Sequence, residues 1–569
     1  MLVLRRFIHK KTVPKLYCHN IESLKYSPQV PTHELLTKLN FINHPKSGLV
    51  HWLPMGLTVL NKLTDVVCSR MNEIKFEQVS MSLLSDAALW KTSGRLENST
   101  ELFKLRDEDY LLVPTAEEQI TNYVLQSISS YKNLPLLYYQ VNAKFRNEKR
   151  PRGGLLRGKE FVMKDAYSFD LDELKAMETY SNVVGAYQKI FTDIKVPYIK
   201  AEADSGDIGG SLSHEWHITH ETGEDTVFTC NSCGHVSNLE KTLSFPESPE
   251  AVQNVAVRYF ITKDRSTIVC CYYPQDRNLD PNFVKNEISD IDLNETDQEK
   301  IVQEFSSSSE EELISKKFIR IMDSRLNSRS NFPDFPFKFI SRSLFTTLSD
   351  IPIVTAQAGE ICEKCEDGEL EESRAIEIGH TFYLGDKYSK PFNCKVDVPT
   401  ENGGLEKKNL IMGCYGIGLS RIIATIGEIN RDKNGLSWPA NLAPWQITVI
   451  ESKPDEFDDF YKIINESHLK DQYRLDDRPK LGLGKKVNHS NLCGIPLVVI
   501  LGRNYPLVEI ETRGKRYIDK DQLAWKQLYE EKSEEFSWKV QYDGHGNDVK
   551  HLVHKDNFVT VVDSLLKDM

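Results

Sequence analysis

The chain has 569 residues, of which 40% are hydrophobic and 27% charged, a composition typical of a globular protein with several cores. No apolar run approaches the roughly 20 residues that a membrane-spanning helix needs, so no membrane insertion is expected. The formal net charge of -12 excludes a uniformly basic nucleic-acid-binding protein, but it leaves room for a local basic groove that holds phosphates.

The first 20 residues contain no acidic side chain and mix basic with apolar residues. The basic ones include Arg5, Arg6, His9, Lys10, Lys11 and Lys15. Such a start is typical of mitochondrial presequences, which are removed after import. The alternative is a disordered basic tail that touches RNA. We expect a mitochondrial targeting segment at 1–22, outside the folded protein, and a location in the mitochondrial matrix.

The segment Tyr139–Asp170 is the most informative part of the chain. An apolar-alternating stretch ends at Phe145, and after a run rich in arginine, lysine and glycine a second stretch begins near Phe161. Two strands joined by such a loop can place guanidinium groups around a polyphosphate, because the planar fork of arginine binds phosphate oxygens in pairs and keeps its charge. Alone, the segment would also fit a solvated basic hairpin.

Two CxxC pairs follow, Cys230 with Cys233 and Cys362 with Cys365. Each pair has zinc-ribbon spacing, and an insertion that leaves and re-enters at one neck would bring the pairs together. A zinc site and a reduced, metal-free knuckle both remain open. Between the pairs, Ser289–Glu312 is rich in acidic residues and serine, which predicts a solvated surface or a flexible excursion.

A glycine cluster lies in the segment Ile411–Ile426. It contains Gly413, Gly416 and Gly418, and Arg421 follows at the start of an apolar helix. Small residues permit close backbone approach. The cluster lacks the Gly-Lys-Ser/Thr ending of a P-loop, which excludes a Walker-type nucleotide site.

The last part of the chain alternates predicted strands and helices. The predicted strands are Gln446–Glu451 and Ile495–Leu501, and the predicted helices are Glu456–Ile464 and Asp519–Glu535. This pattern indicates a separate α/β module of about 120 residues.

Together these segments resemble the class II aminoacyl-tRNA synthetases, specifically the prolyl enzymes of the bacterial type. Phe145–Glu148 with Arg157–Phe161 resembles motif 2 of that family, and Gly413–Arg421 resembles motif 3. Gly48–Gly56 resembles the motif 1 region, which builds the family's dimer interface. Three further segments narrow the resemblance to proline, and these are Val113–Glu118, Ala203–Trp216 and Ile376–His380.

The resemblance implies a mixed α/β (α+β) fold, in which an antiparallel-sheet catalytic domain carries an insertion and an α/β anticodon-binding domain follows. The expected divisions are 1–22 for targeting, 23–229 and 367–440 for the catalytic domain, 230–366 for the insertion and 441–569 for the anticodon-binding domain. The implied activity is ATP-dependent activation of L-proline and its transfer to the 3′ end of the proline tRNA, with Mg²⁺, by a homodimer.

The residues implied for ATP lie in or near motifs 2 and 3. They are Arg146, Glu148, Arg157, Phe161, Glu377, His380, Gly418 and Arg421. By resemblance, Arg146 bridges the α-phosphate and the substrate carboxylate, and Arg421 holds the γ-phosphate. Glu148 contacts the adenine edge and Phe161 stacks on the ring. Arg146 and Arg421 are thus the expected catalytic residues.

Proline presents a secondary ammonium group with two N–H donors on a small ring, so its site needs a polar acceptor and an apolar wall. The residues implied for this pocket are Thr115, Glu117, Arg146, Met163, Asp165, Tyr167, Ser213 and His214. In the C-terminal module, Arg478 and Arg503 are the implied anticodon contacts, because bases exposed in a loop are read by hydrogen bonding and stacking.

Bacterial-type prolyl enzymes carry an editing domain in the region of the insertion. Here Thr267–Ile288 faintly resembles part of it, and Lys285 falls where a functional lysine would lie. The family's glycine-rich, proline-ended loop is not evident near Ala356–Ile361. We expect an insertion that does not edit.

Three alternatives remain. A non-catalytic relative would be expected to lack the motif 2 or motif 3 arginine, whereas Arg146 and Arg421 are both present. A sister enzyme for threonine is disfavoured by Thr115 with Glu117 and by the segment around His380. A purely structural protein gives no reason for three phosphate-type segments in this order.

Overall fold

The computed structural model of the chain describes residues 10–15, 17, 26–99, 101–106, 109–206, 208–306, 316–335, 345–400, 402–454, 456–520 and 522–569. The rest of the predicted targeting segment (1–9, 16 and 18–22) lies outside these residues. The chain forms two compact units. The first comprises Met1–Tyr198, Ser205–Ser211 and Ile378–Met569, and the second comprises Ile199–Asp204 and Leu212–Glu377. The second unit contains the predicted insertion and extends beyond it on both sides.

The strands, in chain order, are β1 Ile42–Lys46, β2 Leu49–Trp52, β3 Glu77–Gln78, β4 Leu84–Asp86, β5 Phe103–Lys104, β6 Tyr110–Leu112, β7 Leu136–Phe145, β8 Glu160–Asp170, β9 Ile199–Glu202, β10 Leu212–Thr219, β11 Asp225–Cys230, β12 Val236–Asn238, β13 Ser244–Phe245, β14 Val255–Ile261, β15 Thr267–Pro274, β16 Lys317–Asp323, β17 Phe345–Ile351, β18 Ile361–Cys362, β19 Leu370–Gly385, β20 Lys395–Pro399, β21 Leu405–Asn409, β22 Ile411–Ile417, β23 Ile447–Glu451, β24 Tyr473–Leu475, β25 Leu497–Leu501, β26 Leu507–Thr512, β27 Lys539–Tyr542 and β28 Asp548–His554.

The α-helices are α1 Thr32–Lys38, α2 Pro54–Glu73, α3 Ala87–Ser93, α4 Arg95–Asn98, α5 Glu117–Ser127, α6 Glu173–Asp193, α7 Pro281–Glu287, α8 Gln298–Ser306, α9 Leu419–Asn430, α10 Asp458–Glu466, α11 Leu483–Leu492, α12 Ala524–Lys532 and α13 Phe558–Lys567. In the described part of the chain, no helix combines the length and apolar character needed to cross a membrane.

The catalytic sheet of the first unit has the strand order β19-β22-β8-β7-β3, where β19 contributes its residues from Ile378 onward. All neighbouring strands are antiparallel except the short β3, which runs parallel to β7. The prediction of an antiparallel catalytic sheet is therefore confirmed. Helix α6 packs on one face, where Lys164 Nζ donates a hydrogen bond to Tyr187 Oη at 2.7 Å. At one end of the opposite face, Ile120 and Val124 of α5 pack in a buried cluster with Tyr167.

The C-terminal module of the first unit is a six-stranded sheet with the order β24-β23-β25-β26-β28-β27. Its first three strands are parallel and the others antiparallel. Helices α10, α12 and α13 bury Phe460, Trp525 and Phe558 against the apolar strands β23 and β25. The predicted α/β module is confirmed, with each of its four predicted elements present.

Part of the predicted targeting segment packs on this module. Thr12 pairs in parallel with Leu475 of β24, so the segment extends the edge of the sheet. Val13 and Tyr17 are buried, and Lys10 Nζ forms an ion pair with Glu451 at 2.9 Å. The expectation that all of 1–22 lies outside the folded protein is wrong for residues 10–15 and 17. A basic segment with interspersed apolar residues also suits an edge strand, because its lysines can pair with acidic neighbours while its apolar side chains are buried.

The second unit contains the strand order β10-β9-β12-β11-β19, with β19 contributing its first residues, and a separate sheet with the order β14-β15-β16-β17. The latter sheet is apolar on both faces, as the neighbouring Cys270 and Cys271 illustrate, since each lies in a different buried cluster. Helix α8 buries Ile301 and Phe305 against one face. The prediction of a solvated surface or a flexible excursion at Ser289–Glu312 is wrong for α8, because two apolar residues four positions apart give this helix a buried side; residues 307–312 lie outside the described residues.

Candidate functional site

Alternate residues of β8 share one face of the catalytic sheet, the face opposite α6. They are Phe161, Met163, Asp165 and Tyr167. The strand register places Gly416 of β22 beside Asp165, and His380 of β19 beside Gly416. We call this surface the site face. It brings together residues predicted for ATP and for proline that are separated by more than 200 positions in the sequence.

Asp165 and Tyr167 are fixed by buried polar contacts. Tyr167 Oη donates to Asp165 Oδ2 at 2.8 Å and accepts a hydrogen bond from the Ala116 N–H at 2.7 Å. Gln140 Nε2 donates to the same carboxylate at 2.8 Å, and Lys144 Nζ lies 2.5 Å from Asp165 Oδ1. Both predicted residues are therefore held in one buried polar network on the site face.

Thr115 and Glu117 lie where α5 begins, next to Ala116. Both are buried, and the Thr115 hydroxyl donates a hydrogen bond to Glu117 Oε2. Arg95 Nη1 donates to Glu117 Oε2 at 3.0 Å and to Glu118 Oε1 at 3.2 Å. Cys414 Sγ of β22 contacts Glu117 Oε1 at 3.1 Å. The predicted pair thus forms a buried acceptor that the neighbouring arginine holds in place.

The two glutamates differ in their proton affinity. Burial by itself would raise the pKa of Glu117, but the Arg95 guanidinium and the Thr115 hydroxyl outweigh it and lower that pKa. Burial raises the pKa of Glu118 to about 7 despite the attraction of Arg95. Of the two carboxyl groups, Glu117 is therefore the one that ionises more readily beside the site face.

Arg146 follows directly after β7. Its guanidinium lies 5.3 Å from the centroid of the Phe161 ring, a cation–π distance. Arg146 Nε is 4.0 Å from Glu101 Oε2, and 33% of the arginine side chain is exposed. The residues predicted to contact the α-phosphate and the adenine ring are thus neighbours at an accessible end of the site face.

The loop between β7 and β8 is tied to helix α9. Arg157 Nε donates to Glu148 Oε2 at 2.6 Å, and Arg421 Nε donates to the Leu156 carbonyl at 3.0 Å. Burial would raise the pKa of Glu148, but the N–H of Arg150 and the Arg157 guanidinium lower it overall. Gly418 precedes α9 as its N-cap. The structure therefore gathers the predicted triphosphate contacts around one loop.

Gly416 has no packing reason to be glycine. A Cβ built there would meet only Met163 Sδ at 3.8 Å and the His380 carbonyl at 4.0 Å, which are ordinary contact distances. The glycine instead keeps the centre of the site face flat, so a ligand can approach the backbone closely. The His380 ring stacks on Phe382 at 3.7 Å between ring centroids.

Three predicted residues belong to the second unit. Ser213 is buried, and its hydroxyl donates to the Ala203 carbonyl at 2.9 Å, so it supports the pairing of neighbouring chain segments. His214 of β10 is half-buried and lies opposite Glu202 of β9. The half-buried Glu377 donates its backbone N–H to Asp225 Oδ2 at 3.4 Å.

The two cysteine pairs meet, as the insertion geometry predicted. One sulfur atom from each of Cys230, Cys233, Cys362 and Cys365 lies within 4.8 Å of every other. Cys230 Sγ and Cys365 Sγ are 3.6 Å apart. Backbone N–H groups of Cys233 and Gly368 point at Cys230 Sγ and Cys365 Sγ at 3.5 and 3.4 Å. Four thiols at this spacing fit the tetrahedral thiolate shell that zinc prefers.

The two predicted anticodon arginines have different surroundings. Arg478 forms a bidentate pair with Asp476 at 2.8 and 2.6 Å and donates to His489 Nδ1 at 3.0 Å. Its guanidinium also lies 4.7 Å from the Tyr17 ring centroid. Arg503 is exposed in the turn after β25. Arg503 is thus accessible to solvent, whereas Arg478 is held by its neighbours.

Four buried charged residues that contact the candidate site residues or share their sheet were not found from the sequence. They are Arg95, Glu118, Lys144 and Lys164. Glu118 lies inside a segment that the resemblance had already singled out, so its position was available as a signal. Arg95 and the two lysines carry no pattern that separates them from other basic residues. Only the structure distinguishes them. Lys144 and Lys164 are fully buried, and burial lowers the pKa of Lys164 to about 7.

Residues 101–430 match the family described as "tRNA synthetase class II core domain (G, H, P, S and T)". A Candida albicans protein named "Proline--tRNA ligase, cytoplasmic" is 56% identical, over 100% of both chains. A Saccharomyces cerevisiae protein named "Probable proline--tRNA ligase, mitochondrial" is 42% identical, over 95% of each. The solved structure of prolyl-tRNA synthetase from Cryptosporidium parvum with L-proline and AMP shares the fold, with a TM-score of 0.55 and 14% identity over 94% of this chain and 74% of that one.

Proposed function

The chain belongs to the proline–tRNA ligases, a family of class II aminoacyl-tRNA synthetases, and we propose that it activates L-proline with ATP on the site face. The observation that carries this proposal is the buried Thr115–Glu117 acceptor beside an accessible arginine-bearing end of the same sheet. The Thr115–Glu117 acceptor suits the ammonium group of proline, and the arginine-bearing end suits the phosphates of ATP.

The reaction concentrates negative charge on phosphoryl oxygens. A carboxylate oxygen of proline attacks the α-phosphorus of ATP, the bond to the bridging oxygen breaks and pyrophosphate leaves. Arg146 is proposed to neutralise the α-phosphate and the attacking carboxylate, while Phe161 stacks on adenine. Arg421 and Arg157 are proposed to bind the outer phosphates, and Glu148 to contact the adenine edge. Gly418 is proposed to let ATP come close to the backbone where α9 begins. The enzyme's contribution is positioning and charge neutralisation.

Mg²⁺, when bound with ATP, supplies further charge neutralisation. Glu377 is proposed as a contact to that ion and His380 as a contact to ATP. In the amino-acid pocket, Thr115 and Glu117 are proposed to accept the two N–H groups of the proline ammonium. Asp165 and Tyr167 hold the pocket's shape and Met163 contributes an apolar wall. Ser213 and His214 are proposed to shape the substrate loop.

Amino-acid-dependent ATP–pyrophosphate exchange tests the activation step. The full chain is assayed with proline, alanine, cysteine and threonine, alongside Arg146→Ala. We expect exchange that requires proline and falls about 100- to 1,000-fold in Arg146→Ala, the usual loss for a group that stabilises transition-state charge. Exchange with another amino acid alone, or none in a folded chain that binds tRNA, would contradict the proposal.

The second half-reaction needs the tRNA. The 3′-terminal ribose hydroxyl attacks the carbonyl carbon of prolyl-adenylate, the mixed anhydride bond breaks and AMP leaves. We propose that the C-terminal module binds the proline anticodon through the exposed Arg503, with Arg478 positioned by Asp476. Arg503→Ala should raise the KM for tRNA in aminoacylation and leave pyrophosphate exchange unchanged.

We propose that the enzyme serves mitochondrial translation, on the strength of the basic N-terminal segment. A processed enzyme would retain Lys10 onward, because Val13 and Tyr17 are buried in the C-terminal module. N-terminal sequencing of the organellar protein tests this proposal, and an enzyme confined to the cytosol would contradict it. A chain beginning at residue 10 should keep the full stability of the module, whereas one beginning at residue 23 should lose several degrees of melting temperature.

We propose a homodimer built on the motif 1 region, where the exposed Leu57 lies in the first turn of α2. Light scattering during gel filtration should give twice the 65.3 kDa chain mass. A concentration-independent monomer would contradict it.

We propose that the four cysteines hold one structural zinc ion. Elemental analysis should find one zinc per chain, lost in Cys362→Ser, together with lower thermal stability of the second unit. Four freely titratable thiols in a stable, metal-free protein would contradict this proposal.

A further inference from the structure

Arg95 occupies an unusual position at the start of α4. It is buried, with its guanidinium 4.6 Å from the Trp90 ring centroid. Its Nη1 donates to Glu117 Oε2 at 3.0 Å and to Glu118 Oε1 and Oε2 at 3.2 and 3.3 Å. Both glutamate side chains have no exposed surface. One guanidinium therefore stands between two fully buried carboxyl groups.

Such an arrangement lowers the stability of the free protein. Two adjacent buried carboxylates repel each other, and each loses the solvation that water would supply. The N-terminus of α5 favours negative charge and the Thr115 hydroxyl stabilises it, but the Arg95 guanidinium makes the largest contribution to keeping Glu117 ionised against the effect of burial. Loss of Arg95 would therefore raise the pKa of Glu117 and increase the share of its neutral form. A neutral Glu117 would attract a substrate cation only weakly.

We propose that Arg95 is a positioning residue of the amino-acid pocket, whose guanidinium keeps the Glu117 carboxylate charged and oriented to receive the secondary ammonium group of proline. This inference rests on the proposed role of Glu117. Arg95 itself touches no substrate. Because it is shared with Glu118, one cation faces two carboxyl groups, and the arriving ammonium group supplies the second positive charge.

Other groups also face Glu117, and none of them replaces Arg95. They are Thr115 and Glu118 beside it, Cys414 on β22, Tyr167 on β8 and Tyr388 after β19, with Asp165 and Lys164 behind them. Thr115 and Cys414 donate hydrogen bonds without charge. Lys164 donates to Tyr187 and to the Tyr415 carbonyl on the far side of the sheet. Arg95 is thus the cation in contact with Glu117 among the residues described.

The test measures the KM for proline and for ATP in pyrophosphate exchange between pH 6 and 9. The variants are Arg95→Met, Arg95→Lys, Arg95→Met with Glu118→Gln, and Glu117→Gln. The matched control is Arg265→Met, because Arg265 also bridges two glutamates, Glu295 at 3.2 Å and Glu304 at 2.7 Å, but on the surface of the second unit. Folding is checked by circular dichroism and thermal melting.

We expect Arg95→Met to raise the KM for proline about 10- to 100-fold at pH 7, because loss of a contacting cation raises a carboxyl pKa by about one to three units. The KM for ATP should stay near wild type. In this variant the KM for proline should recover as the pH rises, since hydroxide restores the Glu117 charge, whereas Arg265→Met should behave like wild type. The KM for proline of Arg95→Lys should lie between those of wild type and Arg95→Met, because lysine keeps the charge but loses the forked geometry of the guanidinium.

If Arg95→Met does not fold, the variant that also carries Glu118→Gln replaces it, because it has only one buried carboxylate to accommodate. Its KM for proline should again recover at high pH. A folded Arg95 variant with a normal KM for proline, or with equal pH-independent losses for proline and ATP, would overturn the inference. A normal KM in Glu117→Gln would instead overturn the assignment of Glu117, and absence of proline-dependent exchange in the wild type would overturn the proposed function.

Discussion

Two ionic clusters, one fully buried and one partly buried, differ in the balance of their charges. The insertion cluster, in the second unit, sets two arginines against two carboxylates, and these are Arg277, Asp323, Arg325 and Glu360. Arg325 binds Glu360 through two hydrogen bonds of 2.9 and 2.8 Å, and Arg277 binds the same carboxylate at 2.7 and 3.1 Å. The site cluster, in the first unit, sets the single Arg95 against Glu117 and Glu118.

The difference separates a structural role from a binding role. In the insertion cluster every charge has its counter-charge, and Asp323 also accepts the backbone N–H of Ile353 at 3.0 Å. Such a network joins chain segments and needs nothing further. The site cluster has one carboxyl group in excess, beside an accessible sheet face. Above the Glu118 pKa of about 7 this excess is a buried negative charge, which is destabilising in the free protein and which a cationic substrate compensates.

The largest effect is expected from Glu360→Gln. The change leaves Arg277 and Arg325 without their shared, largely buried carboxylate, and breaking a buried pair from one side costs up to about 3–5 kcal/mol. Hydrogen exchange should report that loss in β16 and β17, while proline-dependent exchange of pyrophosphate stays near wild type. Protection equal to wild type in these strands would show that the balance of the insertion cluster does not matter.

The pH dependence of local stability should have opposite slopes in the two clusters. Burial would raise the pKa of Glu360, but Arg325 and Arg277 outweigh it and lower the pKa from 4.5 to about 2. The stability that this group contributes is present above pH 4.5 and is lost as the pH falls towards 2. Burial raises the pKa of Glu118 from 4.5 to about 7, so its contribution is present below pH 4.5 and is lost as the pH rises through 7.

Hydrogen exchange, corrected for the intrinsic pH dependence of the amides, measures both slopes in one protein. Amides of β16 and β17 should lose protection on acidification, and amides of α5 should lose it between pH 4.5 and 7. Parallel slopes in the two regions would contradict the distinction between them.

The smallest effect is expected from Glu118→Gln. This change leaves one carboxylate for one guanidinium, so the free protein should be unchanged or more stable by up to about 1 kcal/mol, unlike Glu360→Gln. It should also abolish the loss of α5 protection above pH 4.5. Chemical denaturation followed in the first unit measures the change, and a loss of several kcal/mol would show that the site cluster is structural after all.

The catalytic sheet and the C-terminal module were predictable because their signals are local. Alternating apolar residues around a cationic loop gave β7 and β8, and the glycine cluster before an apolar run gave β22 and α9. The meeting of the cysteine pairs followed from the zinc-ribbon spacing within each pair and from the expectation that the insertion leaves and rejoins the catalytic domain at one place. Resemblance to the prolyl enzymes then supplied Thr115 and Glu117, which the structure places together with a shared hydrogen bond.

Long-range partnerships were not predictable in this way. Arg277 and Arg325 reach Glu360 across 83 and 35 positions, and no spacing rule connects them. Arg95 is one of 71 basic lysine and arginine residues, and only its burial marks it. The basic N-terminal segment indicated a leader, but the same composition also serves an edge strand once its apolar residues find a core. Tertiary contacts decide between such alternatives, and composition does not.

The most direct test of the whole account compares Glu117→Gln with Glu360→Gln in proline-dependent pyrophosphate exchange. Both substitutions remove one arginine-paired carboxylate, which is fully buried at Glu117 and half-buried at Glu360. We predict that Glu117→Gln raises the KM for proline at least about 30-fold, the equivalent of roughly 2 kcal/mol or more for a lost charge partner. Glu360→Gln should leave the KM for proline within about twofold of wild type, because Glu360 shares no contacts with the proposed proline pocket among the described residues. Equal effects of the two substitutions on that KM, or a normal KM in Glu117→Gln, would contradict the claim that excess buried charge marks the proline site.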